Sequence, residues 1–213
     1  MKKTLILSFF IIIFSILQAP TIAAWNLNTH YEIVENNYNS MPLDVQQKLS
    51  LADMKDGADD PDIKFFDFEN HSYPNSMVKA HYWSDKGKSA YENGNYKYAS
   101  YCFGVASHYI SDSFCAPHTK SNTGIYHTIY ELQGSLLTPQ VTISAGSVYS
   151  SENHADLTGD LNSMIQLGYI SGEKNWDKWI KSKDESYVQS NLNQATGASY
   201  NAINRDILES NFY

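Results

Sequence analysis

Apolar residues recur three and four positions apart along most of this chain, the spacing that turns one stripe of a helix toward a core. The pattern predicts a helix over residues 29–39, with Ile33 and Val34 inward. It predicts a second over 42–54, with Pro42 in the first turn, where its missing N–H does no harm. From 57 to 75 the periodicity gives way to an acidic, aromatic stretch, GADDPDIKFFDFENHSYPN, which reads as a loop. Helical spacing resumes over 76–93 and stops at Gly94. The clearest helix runs from Tyr96 to about Phe114. A loop with Pro117 follows, then a helix over about 126–137. Residues 138–150 (TPQVTISAGSVYS) are β-branched and read as extended or looped. Two or three more helices are expected over 154–213, with breaks near Gly172 and Gly197 and with Leu161, Met164, Ile165, Leu167, Ile203, Ile207 and Leu208 as core stripes. Nothing resembles a repeat or a linker, so one compact all-α domain is expected over 25–213.

The first 24 residues stand apart. Lys2 and Lys3 precede an apolar run, 5–17, too short to span a bilayer comfortably. Pro20 then breaks any helix, and Ile22, Ala23 and Ala24 supply small or tolerated residues before a cleavage point. The segment reads as a secretory signal cleaved after Ala24, with an uncleaved anchor as the alternative. Cleavage makes Trp25 the first residue and, by removing two lysines, takes the formal charge from −8 to −10. So acidic a chain has no general attraction for phosphates. A phosphate-ester substrate would need another source of positive charge, and three divalent cations would return six.

Two cysteines, Cys102 and Cys115, are too few for a disulfide framework. On one continuous helix they would lie about 20 Å apart, beyond bridging distance. They read as two small buried side chains, and a bridge becomes possible only if the helix ends well before Cys115.

The histidines carry the chemistry. His108 and Asp112 lie four apart in SYCFGVASHYISD and share one helical face. Gly104, one turn earlier, leaves room for a metal or another helix. His127 and Glu131 repeat the spacing in HTIYE. Two such pairs within 24 residues, with His118 between them after a proline turn, point to a multi-metal centre, since imidazole with carboxylate is the usual zinc donor set outside cysteine-rich sites. Asp59 and His71 come from the acidic loop. That loop also holds Asp60, Asp62 and Asp67, but without the regular spacing of a calcium loop. Trp25 and His30 open the processed chain. A free α-amine titrates near pH 8 and can bind a metal, and its nitrogen and carbonyl together form a five-membered chelate.

These residues resemble the zinc-dependent phospholipase C family, whose superfamily also holds the zinc nucleases specific for single strands. The likeness runs from Trp25 to about Glu131 and is most specific in GNYKYASYCFGVASHYISDSFCAPH, followed by HTIYE. It implies three zinc ions and nine ligands. The first zinc would take Asp59, His71, His108 and Asp112. The second would take His118, His127 and Glu131. The third would take the amine and carbonyl of Trp25 with His30, and Asp112 would bridge it to the first. His81 and His154 have no place in the pattern. The short gap from Trp25 to His30 is nuclease-like, whereas Glu131 and the compact gap from His118 to His127 are phospholipase-like.

The expected activity is metal-assisted phosphodiester hydrolysis, in which zinc makes hydroxide available near neutral pH and Asp59 orients or deprotonates the attacking water. A secreted phospholipase C acting on phospholipid at a membrane surface is the first expectation. It would release diacylglycerol and a phosphorylated headgroup. A single-strand nuclease, its substrate single-stranded nucleic acid stacked on some of the 16 tyrosines, and a non-catalytic metal-binding protein are the alternatives. No stable protein partner and no lipid-binding domain beyond Tyr213 are expected.

Overall fold

The stretch from Tyr96 onward is apolar or small on nearly every side, which calls for a helix surrounded by others. The computed structural model, which describes residues 25–141 and 160–210, places it so. Eight α-helices occur among the described residues: α1 (Leu27–Ser40), α2 (Leu43–Gln46), α3 (Leu51–Ile63), α4 (Asn75–Glu92), α5 (Tyr96–Asp112), α6 (Ile125–Gly134), α7 (Leu161–Ser182) and α8 (Glu185–Ser210). Single 3-10 turns lie at Phe68–Asn70 and Ala116–Thr119, and no strand is present among these residues. The all-α single domain expected from the pattern is the fold. The presumed signal 1–24, most of 138–150 and His154 lie outside the described residues. No described helix is long and apolar enough to cross a membrane.

Helix α5 is the axis. Its residues are buried almost without interruption from Ala99 to Asp112, against α1, α3, α4 and α8. Phe103, Val105, Tyr109 and Ile110 are wholly out of water, each such side chain stabilising the fold by about 1.5–3 kcal/mol or more. The buried hydroxyls of Ser100 and Ser111 bond to carbonyls of their own helix, Tyr96 at 2.7 Å and His108 at 2.9 Å, so they do not stand as unsatisfied groups. One apolar cluster gathers Trp25, Ile33, Tyr109, Phe114, Tyr130 and Trp179. A second gathers Val34, Met54, Phe103 and Ile203.

Helices α3 and α5 meet backbone to backbone. A Cβ on Gly104 would collide with the Met54 carbonyl, and a Cβ on Gly57 with the Tyr101 carbonyl. Gly104 therefore makes room for another helix rather than for a metal.

Three expectations about elements are corrected. The helix over 42–54 is two helices, because Ser50 caps a new one by accepting from the Asp53 amide at 3.2 Å. The loop expected from Gly57 is helical to Ile63. Pro61 sits close to the helix end, where its missing N–H removes one bond. The amides of Lys64 and Phe65 then close the end on the Asp60 carbonyl at 3.0 and 2.8 Å. The breaks expected at Gly172 and Gly197 are absent. Gly172 lies where α7 passes over the second 3-10 turn, and a Cβ there would sit 3.1 Å from Thr119. The helix ends instead at Lys183, in left-handed geometry, with its amide on the Trp179 carbonyl at 2.7 Å.

Replacing Gly104 with alanine should destabilise the protein by about 1–3 kcal/mol through overpacking at the α3–α5 contact. A urea-unfolding midpoint equal to that of the unmodified protein would show that the contact is not tight.

Candidate metal centre

Each expected donor is delivered by a local device. The α-helical pitch stacks His108 on Asp112 in α5 and His127 on Glu131 in α6. Pro117 opens the 3-10 turn that presents His118. His71 follows the turn Phe68–Asn70, and His30 lies one turn into α1. Trp25 precedes α1, with its ring packed against Tyr130 and Gly134 and its Nε1 donating to the Ser111 carbonyl at 3.0 Å. That bond fixes the start of the described chain beside Asp112.

Asp112 is the centre of the cluster. It is wholly buried. Its Oδ1 lies 3.4 Å from His30 Nε2, and its Oδ2 lies 3.2 Å from His71 Nδ1 and 3.1 Å from His108 Nε2. Three groups of potential metal donors, each within 4.8 Å, occur among the described residues: His30 with His108 and Asp112; Asp62 with His71 and His108; and Cys115 with His118 and Glu131. His127 adjoins the last, its Nε2 2.6 Å from Glu131 Oε1 and its ring 5.1 Å from that of His118.

Four imidazoles are anchored on the side away from the cluster. Nδ1 of His108 faces the Ala58 carbonyl at 2.7 Å, Nδ1 of His118 the His71 carbonyl at 3.3 Å, Nδ1 of His30 the Ser111 hydroxyl at 3.2 Å, and Nδ1 of His127 the Thr123 hydroxyl at 3.2 Å. In all four the Nε2 atom is buried and makes no hydrogen bond, and neither does either oxygen of Asp112. Such orphaned groups are costly unless a cation takes them. An outward bond on one nitrogen that fixes the other toward a common centre is the orientation that metal-binding histidines use.

The charge balance points the same way. Burial pushes His71 down to about 3 and His118 down to about 4, so both are neutral at pH 7. Burial would raise Asp112, but the adjacent His108 and His30 hold it well below the usual carboxylate range. Burial raises Asp62 to about 7. The buried cluster thus sets carboxylates against at least two neutral imidazoles, His71 and His118, and divalent cations fit the donor atoms and supply charge that these two do not.

The structure distributes the expected residues unevenly. His30, His71, His108, Asp112, His118, His127 and Glu131 converge, with Trp25 beside them. Asp59 belongs to none of the three groups. Its Oδ2 accepts from the Tyr31 hydroxyl, its Oδ1 is buried without a partner, and burial raises its pKa. Asp62 stands at the cluster instead, its Oδ1 3.6 Å from His71 Nδ1. The family resemblance selects Asp59 by its distance along the chain from His71, a criterion that does not single out Asp62. In the helical register Asp62 lies one turn after Ala58, whose carbonyl holds His108. Cys115 was likewise read only as a buried thiol. Both cysteines are free, and burial, then the nearby Glu131 and Asp112 carboxylates, push the Cys115 thiol well up. His81 lies apart, bonded to Asn162 at 2.6 Å.

With cations removed by chelation, the two depressed histidines stabilise the fold fully above pH 6.5. That contribution is lost as the pH falls toward 4, because the unfolded chain takes up protons first. Asp62, being raised, contributes in the opposite sense: its stabilisation is full below about pH 4 and lost as the pH rises through 7. The two histidine protons outweigh the one on Asp62 increasingly as the pH falls, a net loss of about 1.5 kcal/mol between pH 6.5 and 5. Denaturant midpoints of chelated protein at the two pH values measure it; an equal or higher midpoint at pH 5 would contradict this balance.

A family model described as zinc dependent phospholipase C matches residues 29–190. A search among curated proteins finds no match.

Proposed function

The chain belongs to the zinc-dependent phospholipase C family, and we propose that it hydrolyses glycerophospholipids to diacylglycerol and a phosphorylated headgroup. The observation that carries this reading is the set of four outward-anchored histidines whose buried Nε2 atoms lack hydrogen bonds and cluster with Asp112 and Glu131. On this reading Asp62, His71, His108 and Asp112 would hold one zinc, and His118, His127 and Glu131 a second. His30 and Asp112, with the amine and carbonyl of Trp25, would hold a third. Loss of residues 1–24 on secretion would free that amine. Bound zinc supplies Lewis acidity and ionises water near neutral pH.

The remaining work falls to the chain. Asp59 Oδ1, buried and unpartnered, is the acceptor for the proton of the attacking water. Tyr31, donating to Oδ2, keeps the carboxylate turned that way. Burial of the cluster strengthens these interactions by excluding bulk water.

The rim supports a lipid over a nucleic acid. Phe66, at the tip of the turn after α3, is 68% exposed and held at φ +51°, and Phe68 beside it packs edge-on against His71. Ile125, two residues before His127, is 72% exposed. Apolar side chains held out beside a polar centre suit an amphiphile. The formal charge of −8 over the whole chain gives a polyanion no sequence-independent attraction.

Two experiments test the reading. Incubation with phosphatidylcholine and, separately, with single-stranded DNA, with zinc quantified in the same sample, should release phosphocholine; cleavage of DNA alone would overturn the lipid assignment. Asp62→Asn should lower the zinc retained after dialysis. Asp59→Asn should keep its zinc and lose on the order of 10²-fold or more in turnover. Loss of zinc on changing Asp59, with none on changing Asp62, would reverse the two roles.

A further inference from the structure

Cys115 belongs to the cluster by position but has no place among the nine expected ligands. The amide of His118 donates to the Cys115 carbonyl at 3.0 Å, which closes a turn of 3-10 geometry. Cys115 caps that turn in extended geometry, three residues before His118. The sulfur, a His118 ring nitrogen and a Glu131 carboxylate oxygen all lie within 4.8 Å of one another. A second, independent feature points to a ligand between them. His118 is 9% exposed, and its Nδ1 is tied to the His71 carbonyl, while its Nε2 is buried without a hydrogen bond. His127 Nε2 is buried without a hydrogen bond as well, 2.6 Å from Glu131 Oε1.

We propose that Cys115 Sγ is a fourth protein donor to the cation held by His118, His127 and Glu131. The inference rests on the reading that this site binds zinc. On coordination the thiol proton passes to solvent and the sulfur binds as thiolate. Two imidazoles, a carboxylate and a thiolate complete a tetrahedral set, whereas three protein donors would leave a position open to water or substrate. The site is therefore closed, and the handling of the attacking water falls to the residues around Asp112. A sulfur donor also biases the site toward zinc and softer ions over magnesium and manganese.

X-ray absorption at the zinc edge of the full-length protein tests this without any variant. The unmodified protein should show a sulfur shell at about 2.3 Å beside the nitrogen and oxygen scatterers. Cys102→Ser should keep that shell and Cys115→Ser should lose it. Cobalt exchanged into the same three proteins should give a sulfur-to-metal charge-transfer band that follows the same pattern. Zinc-loaded, active protein with nitrogen and oxygen scattering alone would overturn the proposal and leave the phosphodiesterase reading intact, as would a sulfur shell that survives Cys115→Ser. Protein that retains no zinc would overturn the metal reading and this proposal with it.

Discussion

The rest of the structure depends on a carboxylate that water cannot reach. Asp112 lies at the end of the most buried helix and faces three imidazoles at 3.1–3.4 Å. Burial drives His71 toward neutrality, while the neighbouring His108 and His30 favour an ionised Asp112. The two tendencies cannot both be met by protons alone. A divalent cation between carboxylate and imidazole resolves the conflict, because it accepts lone pairs from both and supplies the charge that neither can hold. The site is thus a property of the core rather than an addition to its surface.

Packing makes that arrangement possible. Because Gly57 and Gly104 let α3 and α5 touch through their backbones, the Ala58 carbonyl reaches His108 Nδ1 at 2.7 Å and fixes the ring. The same close approach brings Asp62, one turn along α3, to His71 and His108. At the other end, the Trp25 indole reaches Ser111 next to Asp112 and packs on Gly134 next to the α6 pair. Each of the four anchored histidines is therefore oriented by an element other than its own or by a hydroxyl one turn away. A substitution that shifts the α3–α5 contact would misalign the donors before it exposed them.

Much of this was legible in the order of residues. The i, i+4 pairs of α5 and α6 needed only helical periodicity, and both lie where the pattern put them. The positions of Asp59 and Asp62 were not legible, because proline and four acids within nine residues read as a loop, whereas the segment is helical to Ile63 and packs against α5 through Gly57. Glycine misled in the same manner at Gly172, which looked like an end and is a point of close approach. The proximity of Cys115 to Glu131 arises from chain segments 16 residues apart, and no local pattern reports it.

The two ends of the cluster differ in what holds them. The Asp112 end is built on α5, enclosed on several sides by other helices, so its donors have little freedom to adjust. The Glu131 end is built on ten residues of α6 and a four-residue turn, closer to the exposed Ile125. A less enclosed end needs more bonds to its cation to be equally well defined, which is what the thiolate of Cys115 would add. On the proposed function this has a chemical consequence. The rigid end, where Asp59 and Tyr31 adjoin His30 and His108, is suited to positioning the attacking water. The end beside the apolar rim, once closed by four donors, contributes charge to the phosphate without competing for that water.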